Sequence, residues 1–439
     1  MKKNFGLAAF LAAFMAICLV MSVGLAIAGP SGTGANERLS EFPQLMTEDG
    51  ELNTEYLSEF ADWVNDRFFL RQDLISLDRL LTGKIFQTSG ESGVILGSNG
   101  WLYFTDTLGD YTGTEQLTDR EIWGAANNLA LMAEFCRENG KEFVFVIAPN
   151  KNSLYDANMP DYGVKAEENN ASRLMALLET MDVTTVDLYD AFSRQEEVLY
   201  FAHDSHWNSK GAALGADRIN AAFGVESNYF GGSFTQGDPH KGDLFVMMYP
   251  ALTDTEQDLR YGGKLDFRFT GNATRPDAIV LNTESDAPGS LLAYRDSFGN
   301  LLFPYLASSF GTARFARTTT YDLTGDAESV LVELVERNID YLLMNMPVMA
   351  SPVRQVSIPS STAGTIRVEV GSKGDFTRVT GLLPGCDDTS AVYVVSGGVA
   401  YEAFCLEDGG FGVNLPEGGE AELVICTENG ADVAYKLEK

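Results

Sequence analysis

The residues best suited to chemistry lie around one aspartate. The whole chain contains three histidines, His203, His206 and His240, and the first two flank Asp204. An aspartate two residues before a histidine on a turn can accept a hydrogen bond from Nδ1 of the ring, which fixes the tautomer and leaves Nε2 as a base. We therefore predict Asp204 as the orienting carboxylate and His206 as the base. The alternative is a surface hydrogen bond, which is the commoner use of an isolated Asp-x-His pair.

A base needs a nucleophile, and Ser297 is the best candidate. It follows a short apolar segment at 291–294 that is typical of a strand, and it precedes a stretch that is typical of a helix. A serine at such a junction points its hydroxyl out of the end of the sheet. The amides of Ser297 and Gly299 would then face a developing oxyanion at the helix N-terminus. The alternative is a serine that only caps the helix.

The elements that must position these residues alternate between strand and helix. We predict strands at 143–147, 183–188, 279–281, 291–294 and 341–344, and helices at 54–82, 119–139, 166–181, 208–223, 298–309 and 326–338. A hairpin is predicted at 93–104. This alternation indicates an α/β fold with a parallel sheet flanked by helices. Residues 352–439 are rich in Val, Thr and Gly in short alternating runs, which predicts a C-terminal all-β accessory domain.

The N-terminus predicts export. Lys2 and Lys3 precede an uncharged apolar run at 5–28 that ends in an Ala-x-Ala cleavage signature. The run is longer than the usual signal core of ~7–15 residues and approaches the ~20 residues that span a bilayer. A cleaved signal peptide and an uncleaved membrane anchor are therefore both open. Either one places the rest of the chain outside the cytoplasm, at the cell surface or beyond it.

The expected organisation follows from these patterns. Residues 1–28 are the signal peptide or anchor, 29–52 a linker and N-terminal extension, 53–348 the α/β domain and 352–439 the small all-β domain.

Composition argues against several classes of protein. There are 62 acidic and 31 basic residues, for a net charge of −31. That field repels nucleic acid and anionic lipid, so we expect no nucleic-acid partner and membrane contact only through the N-terminal segment. None of the five cysteines forms a CxxC pair, and we expect neither a metal site nor a cofactor. Cys386, Cys405 and Cys426 either include one disulfide or are small buried residues.

The segment His203-Asp204-Ser205-His206-Trp207 resembles the Asp-x-His-Trp signature of the DHHW and alginate O-acetyltransferase-like proteins, a branch of the SGNH hydrolases. Six further segments resemble family elements in the same order, at 36–43, 63–71, 97–103, 148–151, 242–244 and 296–299. The resemblance covers residues 36 to about 347.

The resemblance implies a circularly permuted SGNH arrangement with Asp204 as orienter, His206 as base and Ser297 as the residue that accepts the acyl group. It also implies O-acetyl transfer to a cell-envelope or secreted polysaccharide, with a membrane-bound acyl exporter as donor and a carbohydrate-binding role for the β domain. A carbohydrate esterase with the same triad and a non-catalytic glycan-binding scaffold are the alternatives.

The resemblance leaves the remaining site residues open. The candidates for substrate or oxyanion contacts are Lys151, Asn150, Trp207, Gly299, Arg295 and Arg314. Each arginine could instead pair with a surface carboxylate, and Lys151 could be an exposed loop residue. The small number of basic residues argues against a strongly acidic polymer as substrate.

Overall fold

The computed structural model describes residues 5–28, 39–47 and 49–439. Its α-helices are α1 Phe5–Ala28, α2 Tyr56–Asn65, α3 Arg71–Phe86, α4 Leu108–Thr112, α5 Asp119–Glu138, α6 Lys151–Leu154, α7 Asn170–Leu178, α8 Leu188–Ser193, α9 Ser209–Ala222, α10 Asp243–Met248, α11 Gly299–Ser309 and α12 Tyr341–Met344.

The strands fall into two large sheets and two hairpins. They are β1 Val94–Leu96, β2 Leu102–Phe104, β3 Glu142–Ala148, β4 Thr184–Asp187, β5 Phe234–His240, β6 Glu256–Tyr261, β7 Arg268–Phe269, β8 Val280–Glu284, β9 Ser290–Tyr294, β10 Thr312–Ala316, β11 Ser329–Val335, β12 Val353–Arg354, β13 Gly364–Lys373, β14 Phe376–Leu382, β15 Tyr393–Ser396, β16 Val399–Glu402, β17 Phe404–Cys405, β18 Gly410–Pro416, β19 Leu423–Glu428 and β20 Ala431–Glu438.

The N-terminal apolar run forms the single helix α1. In the described parts of the chain, no helix meets the length and apolarity needed to cross a membrane. Lys2, Lys3 and the predicted linker between 29 and 38 lie outside the described residues.

A seven-stranded sheet forms the centre of the α/β region, in the order β4-β3-β11-β9-β10-β8-β7. The five strands from β4 to β10 run parallel, whereas β8 and β7 are antiparallel to their neighbours. The predicted α/β fold with flanking helices is therefore confirmed, but the sheet is mixed rather than wholly parallel. Parallel strands end at one edge of the sheet, so the loops after β3, β9 and β11 meet there.

The strand at the middle of this sheet was predicted wrongly. Residues 326–338 were expected to form a helix, yet β11 runs through them and all of its residues are buried. A continuous apolar run has no period that separates a buried strand from a buried helix, and three β-branched valines favour the strand. The strand predicted at 341–344 is the short helix α12.

The predicted helix at 54–82 is also interrupted. It divides into α2 and α3, and Leu70 between them adopts a left-handed conformation with φ 63°. The hairpin predicted at 93–104 is confirmed, with β1 and β2 paired in antiparallel register.

The C-terminal region is all-β, as expected. Strands β12–β20 form one nine-stranded sheet, and three of its members, β12, β14 and β18, were missed in the sequence. This sheet packs against the α/β region: Phe404 and Cys405 of β17 lie in the same buried cluster as one face of α5. Of the described cysteines, Cys136, Cys386, Cys405 and Cys426 are free thiols.

Candidate active site

Ser297 lies at the edge where the parallel strands end. Strand β9 stops at Tyr294 and α11 begins at Gly299, so the serine occupies the turn between them. In open α/β sheets this edge is where side chains from successive loops converge. The serine is half-buried and its neighbours on both sides are buried.

The structure brings Ser297, His206 and Asp204 into one hydrogen-bonded line. Nε2 of His206 is 2.8 Å from Oγ of Ser297, and Nδ1 of the same ring is 2.6 Å from Oδ1 of Asp204. Both distances are within hydrogen-bonding range for a nucleophile, a base and an orienting group. The arrangement can move the hydroxyl proton of the serine to the imidazole.

The carboxylate of Asp204 is held on both oxygens. Oδ1 also accepts from the amide of His206 at 3.0 Å. Oδ2 accepts from Nε2 of His240 at 2.7 Å and from the amide of Asp243 at 3.0 Å. Sequence reasoning assigned no role to His240 or Asp243, because they follow the Asp-x-His pair by more than thirty residues. The scarcity of histidine in the chain was the one signal for His240.

These contacts set the charge of the site. Burial by itself would lower the pKa of His206, but the hydrogen bonds that His206 donates to Asp204 and Asp243, together with the charges of these carboxylates, raise that pKa to about 9. Burial opposes ionisation of Asp204, yet its bonds to His206 and His240 hold its pKa well below the usual range. The site therefore keeps a carboxylate beside a strongly basic imidazole.

The turn that carries Ser297 is fixed by Asp296. Its Oδ1 accepts from the amide of Phe298 at 2.8 Å. Its Oδ2 accepts from the amide of Val335 at 2.7 Å and from Nδ2 of Asn338 at 2.9 Å. The carboxylate thereby joins the nucleophile turn to the loop after β11, a contact that the wrong helix prediction at 326–338 concealed.

Trp207 connects the segment that carries His206 to the segment that carries Ser297. Its side chain is fully buried, and Nε1 donates to the backbone oxygen of Phe298 at 3.1 Å. The tryptophan was predicted as a possible substrate contact, but the structure places it in the core. It sets the spacing between the His206 and Ser297 segments.

Lys151 is another predicted substrate contact that the structure places inside the protein. Its Nζ donates to the backbone oxygens of Phe201, Ala202 and Asp204 at 3.1, 3.0 and 2.6 Å. Burial lowers its pKa to about 8 despite the nearby carboxylates. The ammonium therefore holds the loop that carries Asp204, and it is not the exposed residue of the alternative interpretation.

Arg295 and Gly299 pack against each other behind the serine. The guanidinium donates to Oδ1 of Asn300 at 2.7 Å and to the backbone oxygen of Pro276 at 2.6 Å. Burial lowers the pKa of Arg295 to about 10. A Cβ on Gly299 would lie 2.4 Å from Cδ of this arginine, so the position requires glycine. Arg295 has its partners within the fold.

Arg314 and Asn150 lie differently from what was expected. Arg314 sits mid-strand in β10, exposed, and lines a depression that does not include Ser297. Asn150 is buried, and its amide donates to Oε2 of Glu336 at 2.7 Å. Within the described residues, Oδ1 of Asn150 has no hydrogen-bond partner.

A cavity of about 560 Å³ opens beside Ser297. It extends from the nucleophile turn to the loop after β11, and three arginines reach it, Arg295, Arg317 and Arg337. Arg337 was not singled out in the sequence. The volume of this cavity is typical of ligand pockets. It is large enough for a sugar unit or a small acyl donor.

A metal ion could in principle be held by the same groups. Ligand atoms of Asp204, His206 and Asp243 lie within 4.8 Å of one another. However, Nδ1 of His206 and Oδ1 of Asp204 are only 2.6 Å apart. Two ligands about 2.0–2.2 Å from one tetrahedral ion would lie farther apart than this. The geometry is that of a charge-assisted hydrogen bond.

The mixed sheet with flanking helices defines an SGNH-like α/β domain. Residues 94–259 match the family model described as SGNH hydrolase-like domain, acetyltransferase AlgX. The predicted resemblance to the alginate O-acetyltransferase-like proteins is thus confirmed over this segment, which includes Asp204, His206 and His240.

Individual relatives are distant. The probable alginate O-acetylase AlgJ of Pseudomonas syringae pv. tomato is 24% identical over 209 residues, which are 45% of this chain and 51% of that protein. The chain thus spans about half the length of this curated relative.

The chain also matches the solved structures of two bacterial proteins. Bacillus cereus PatB1, with a sulfonyl adduct, has a TM-score of 0.45 and 18% identity over 57% of this chain and 97% of that chain. A DHHW family protein from Eubacterium siraeum has a TM-score of 0.41 and 16% identity over 56% of this chain and 94% of that chain.

Proposed function

We propose that this protein transfers an acetyl group from a donor ester to a hydroxyl of a polysaccharide, with Ser297 as the nucleophile. The observation that carries the proposal is the continuous hydrogen-bonded line from Ser297 through His206 to Asp204. The similarity to a probable alginate O-acetylase supports acetyl transfer as the reaction. It leaves the polysaccharide of this chain open.

The reaction proceeds in two halves. In the first, Oγ of Ser297 attacks the acetyl carbonyl while Nε2 of His206 takes the hydroxyl proton. The tetrahedral intermediate then collapses to acetyl-serine, and the leaving group departs with that proton. In the second half, an acceptor hydroxyl attacks acetyl-serine and gives its proton to Nε2. Collapse releases the O-acetyl product and returns the proton to Oγ.

Negative charge on the carbonyl oxygen needs a hydrogen-bond donor in each half. The amide of Ser297 donates to no acceptor among residues 5–28, 39–47 and 49–439, so it is free for this task. Asp204 stabilises the imidazolium that forms within each half, because its carboxylate remains ionised.

The cellular setting belongs to the proposal as well. Export past the N-terminal segment would place the site outside the cytoplasm, where an envelope or secreted polysaccharide is available. A membrane-bound acyl exporter would then supply the acetyl donor.

The test is an acceptor assay with purified protein. A small acetyl ester is incubated with candidate glycans, and acetylated sugar and free acetate are both measured. Wild type should give acetylated sugar, whereas Ser297→Ala and His206→Ala should each lose turnover and keep the wild-type melting temperature. Ser308→Ala is the matched control, because among the described residues the hydroxyl of Ser308 bonds only to the backbone of its own helix.

The same assay separates the alternatives. Release of free acetate without acetylated sugar would identify a carbohydrate esterase, because water then replaces the sugar as acceptor. If the wild-type protein binds glycan but does not consume the acetyl ester, the protein is a non-catalytic scaffold. Activity that survives in both variants would remove Ser297 and His206 from the mechanism.

A further inference from the structure

Arg337 enters the cavity from a firmly held turn. It lies between Glu336 and Asn338, directly after β11. Glu336 is buried and accepts from the amide of Asn150 and from Oγ of Ser153, each at 2.7 Å. Asn338 is bonded to the carboxylate of Asp296. Because both neighbours are fixed, the backbone of Arg337 has little freedom and its side chain is aimed into the cavity beside Ser297.

Two aromatic rings orient the guanidinium. Its Cζ is 5.3 Å from the ring centre of Phe104 and 5.5 Å from that of Phe298. Phe298 is the residue after the nucleophile, and its ring centre is 4.7 Å from that of His206. A guanidinium stacked on aromatic rings keeps its edge N–H groups available for hydrogen bonds. The ring of Phe298 thus lies next to both the guanidinium of Arg337 and the imidazole of His206.

The guanidinium has no polar partner in the described parts of the chain. No hydrogen bond or ion pair from its side chain is present there, although two acidic residues, Asp106 and Asp340, line the same cavity. Arg354, by contrast, pairs with both Glu134 and Glu402. An arginine that lines a cavity without a carboxylate partner has its donors available for a ligand.

We propose that Arg337 binds an anionic oxygen group, a carboxylate or a phosphate, on the substrate that occupies the Ser297 cavity. Its planar set of donors fits either group in a two-pronged contact. This inference rests on the proposed function, because it takes the cavity as the place where donor or acceptor binds. The small number of basic residues in the chain does not weaken it, since one preorganised arginine is enough to select one anionic group.

The test compares acetyl donors that differ in charge. Phenyl acetate is the neutral donor, 4-acetoxybenzoate carries a carboxylate, and acetyl phosphate, an acyl phosphate, carries a phosphate. Wild type, Arg337→Gln and Arg337→Lys are compared by the ratio of KM for each anionic donor to KM for phenyl acetate. Arg218→Gln, an exposed arginine on α9, serves as the control.

We expect Arg337→Gln to raise that ratio roughly tenfold or more for the acetyl donor whose anion Arg337 binds, as for loss of a hydrogen bond to a charged group. Arg337→Lys should recover part of the loss, and Arg218→Gln should match wild type. The acetyl donor that responds identifies the anion as carboxylate or phosphate. Equal ratios in wild type and Arg337→Gln for both anionic donors would overturn the proposal.

A binding measurement tests the anion site independently of whether the proposed reaction takes place. Calorimetric titration of Ser297→Ala with unreacted 4-acetoxybenzoate and with inorganic phosphate reports recognition without turnover. Weaker binding in the Ser297→Ala, Arg337→Gln double variant supports the anion site even if Ser297 proves inert. Unchanged affinity in the double variant would contradict the site even if Ser297 is the nucleophile.

Discussion

At the scale of single residues, Asp204 is the centre of the site. Two histidines share its carboxylate, with His206 on one oxygen and His240 on the other. His240 also stacks on Phe201, with ring centres 4.0 Å apart, which fixes the direction of its Nε2. The charge of Asp204 is therefore divided between the base and a second imidazole, and this division controls how basic His206 is.

The pKa of His206 predicts the pH dependence of turnover. The residue acts as a base only when it is neutral, and its pKa in the free protein is raised to about 9. We expect kcat/KM for phenyl acetate to increase with pH from neutrality, to be half-maximal near pH 9 and to level off above it, since this ratio reports the free protein. Rates are corrected with Ser297→Ala at each pH. A plateau that already begins at pH 6 would contradict the prediction.

Removal of His240 should shift that profile in a defined direction. Without its hydrogen bond to Oδ2, the charge of Asp204 acts on His206 alone and the pKa of His206 rises. For His240→Ala we expect the rise in kcat/KM to move to higher pH, with His240→Gln between the two because its amide can still donate. A midpoint that stays in place while the melting temperature falls would mean that His240 only supports the fold.

At the scale of elements, the site depends on loops that are fastened to one another at the strand ends. Lys151, at the start of α6, binds three backbone oxygens of the 201–204 segment. Asp296, after β9, binds the loop after β11. Each link joins segments that are far apart in sequence, so a local change in one loop is transmitted to the position of Asp204 or Ser297.

Lys151 gives a direct test of this fastening. Lys151→Met keeps the unbranched, flexible shape of the side chain, one atom shorter, and leaves the three backbone oxygens without their donor. We expect a loss of about 2 kcal/mol in the free energy of unfolding, within the range for buried groups that lose a hydrogen bond. We also expect kcat to fall more than KM rises, because Asp204 loses its position. Urea unfolding and steady-state kinetics measure the two effects, and a variant as stable and active as wild type would contradict them.

The local parts of the site could be predicted from the sequence. The Asp-x-His segment, the strand before Ser297 and the helix after it have short-range patterns, and the structure has β9 and α11 at those places. Contacts that depend on strand order could not be predicted. Arg337 and Asn338 belong to a segment that looked helical, so the lining of the cavity by the loop after β11 was hidden. His240 and Asp243 reach Asp204 only through the tertiary fold.

At the scale of the whole molecule, the C-terminal sheet and the α/β region share an interface. Asn128 of α5 is fully buried there. Its Nδ2 donates to the backbone oxygens of Leu342 and Cys405 at 2.9 and 2.8 Å, and its Oδ1 accepts from the amide of Cys405 at 2.9 Å. One side chain thus completes the backbone hydrogen bonding of β17 and joins both regions to the same helix.

Loss of that side chain should weaken both regions together. Asn128→Ala leaves the backbone groups of Cys405 and Leu342 buried without partners, and we expect a loss of about 2–4 kcal/mol in unfolding free energy. The neighbouring Asn127→Ala is the matched control, because the Nδ2 of Asn127 is buried without a partner among the described residues. A single unfolding transition at lower denaturant is expected, and an unchanged midpoint would contradict the shared interface.

The central claim is that Ser297 carries the acetyl group, and the acyl-enzyme itself tests it most directly. Protein incubated briefly with an acetyl ester is quenched in acid, digested and analysed by peptide mass spectrometry. We predict one acetyl group on Ser297 in wild type, and none on that peptide in His206→Ala. Ester consumption by wild type with the acetyl group on another residue, or with no acetylated peptide at any quench time, would contradict the account.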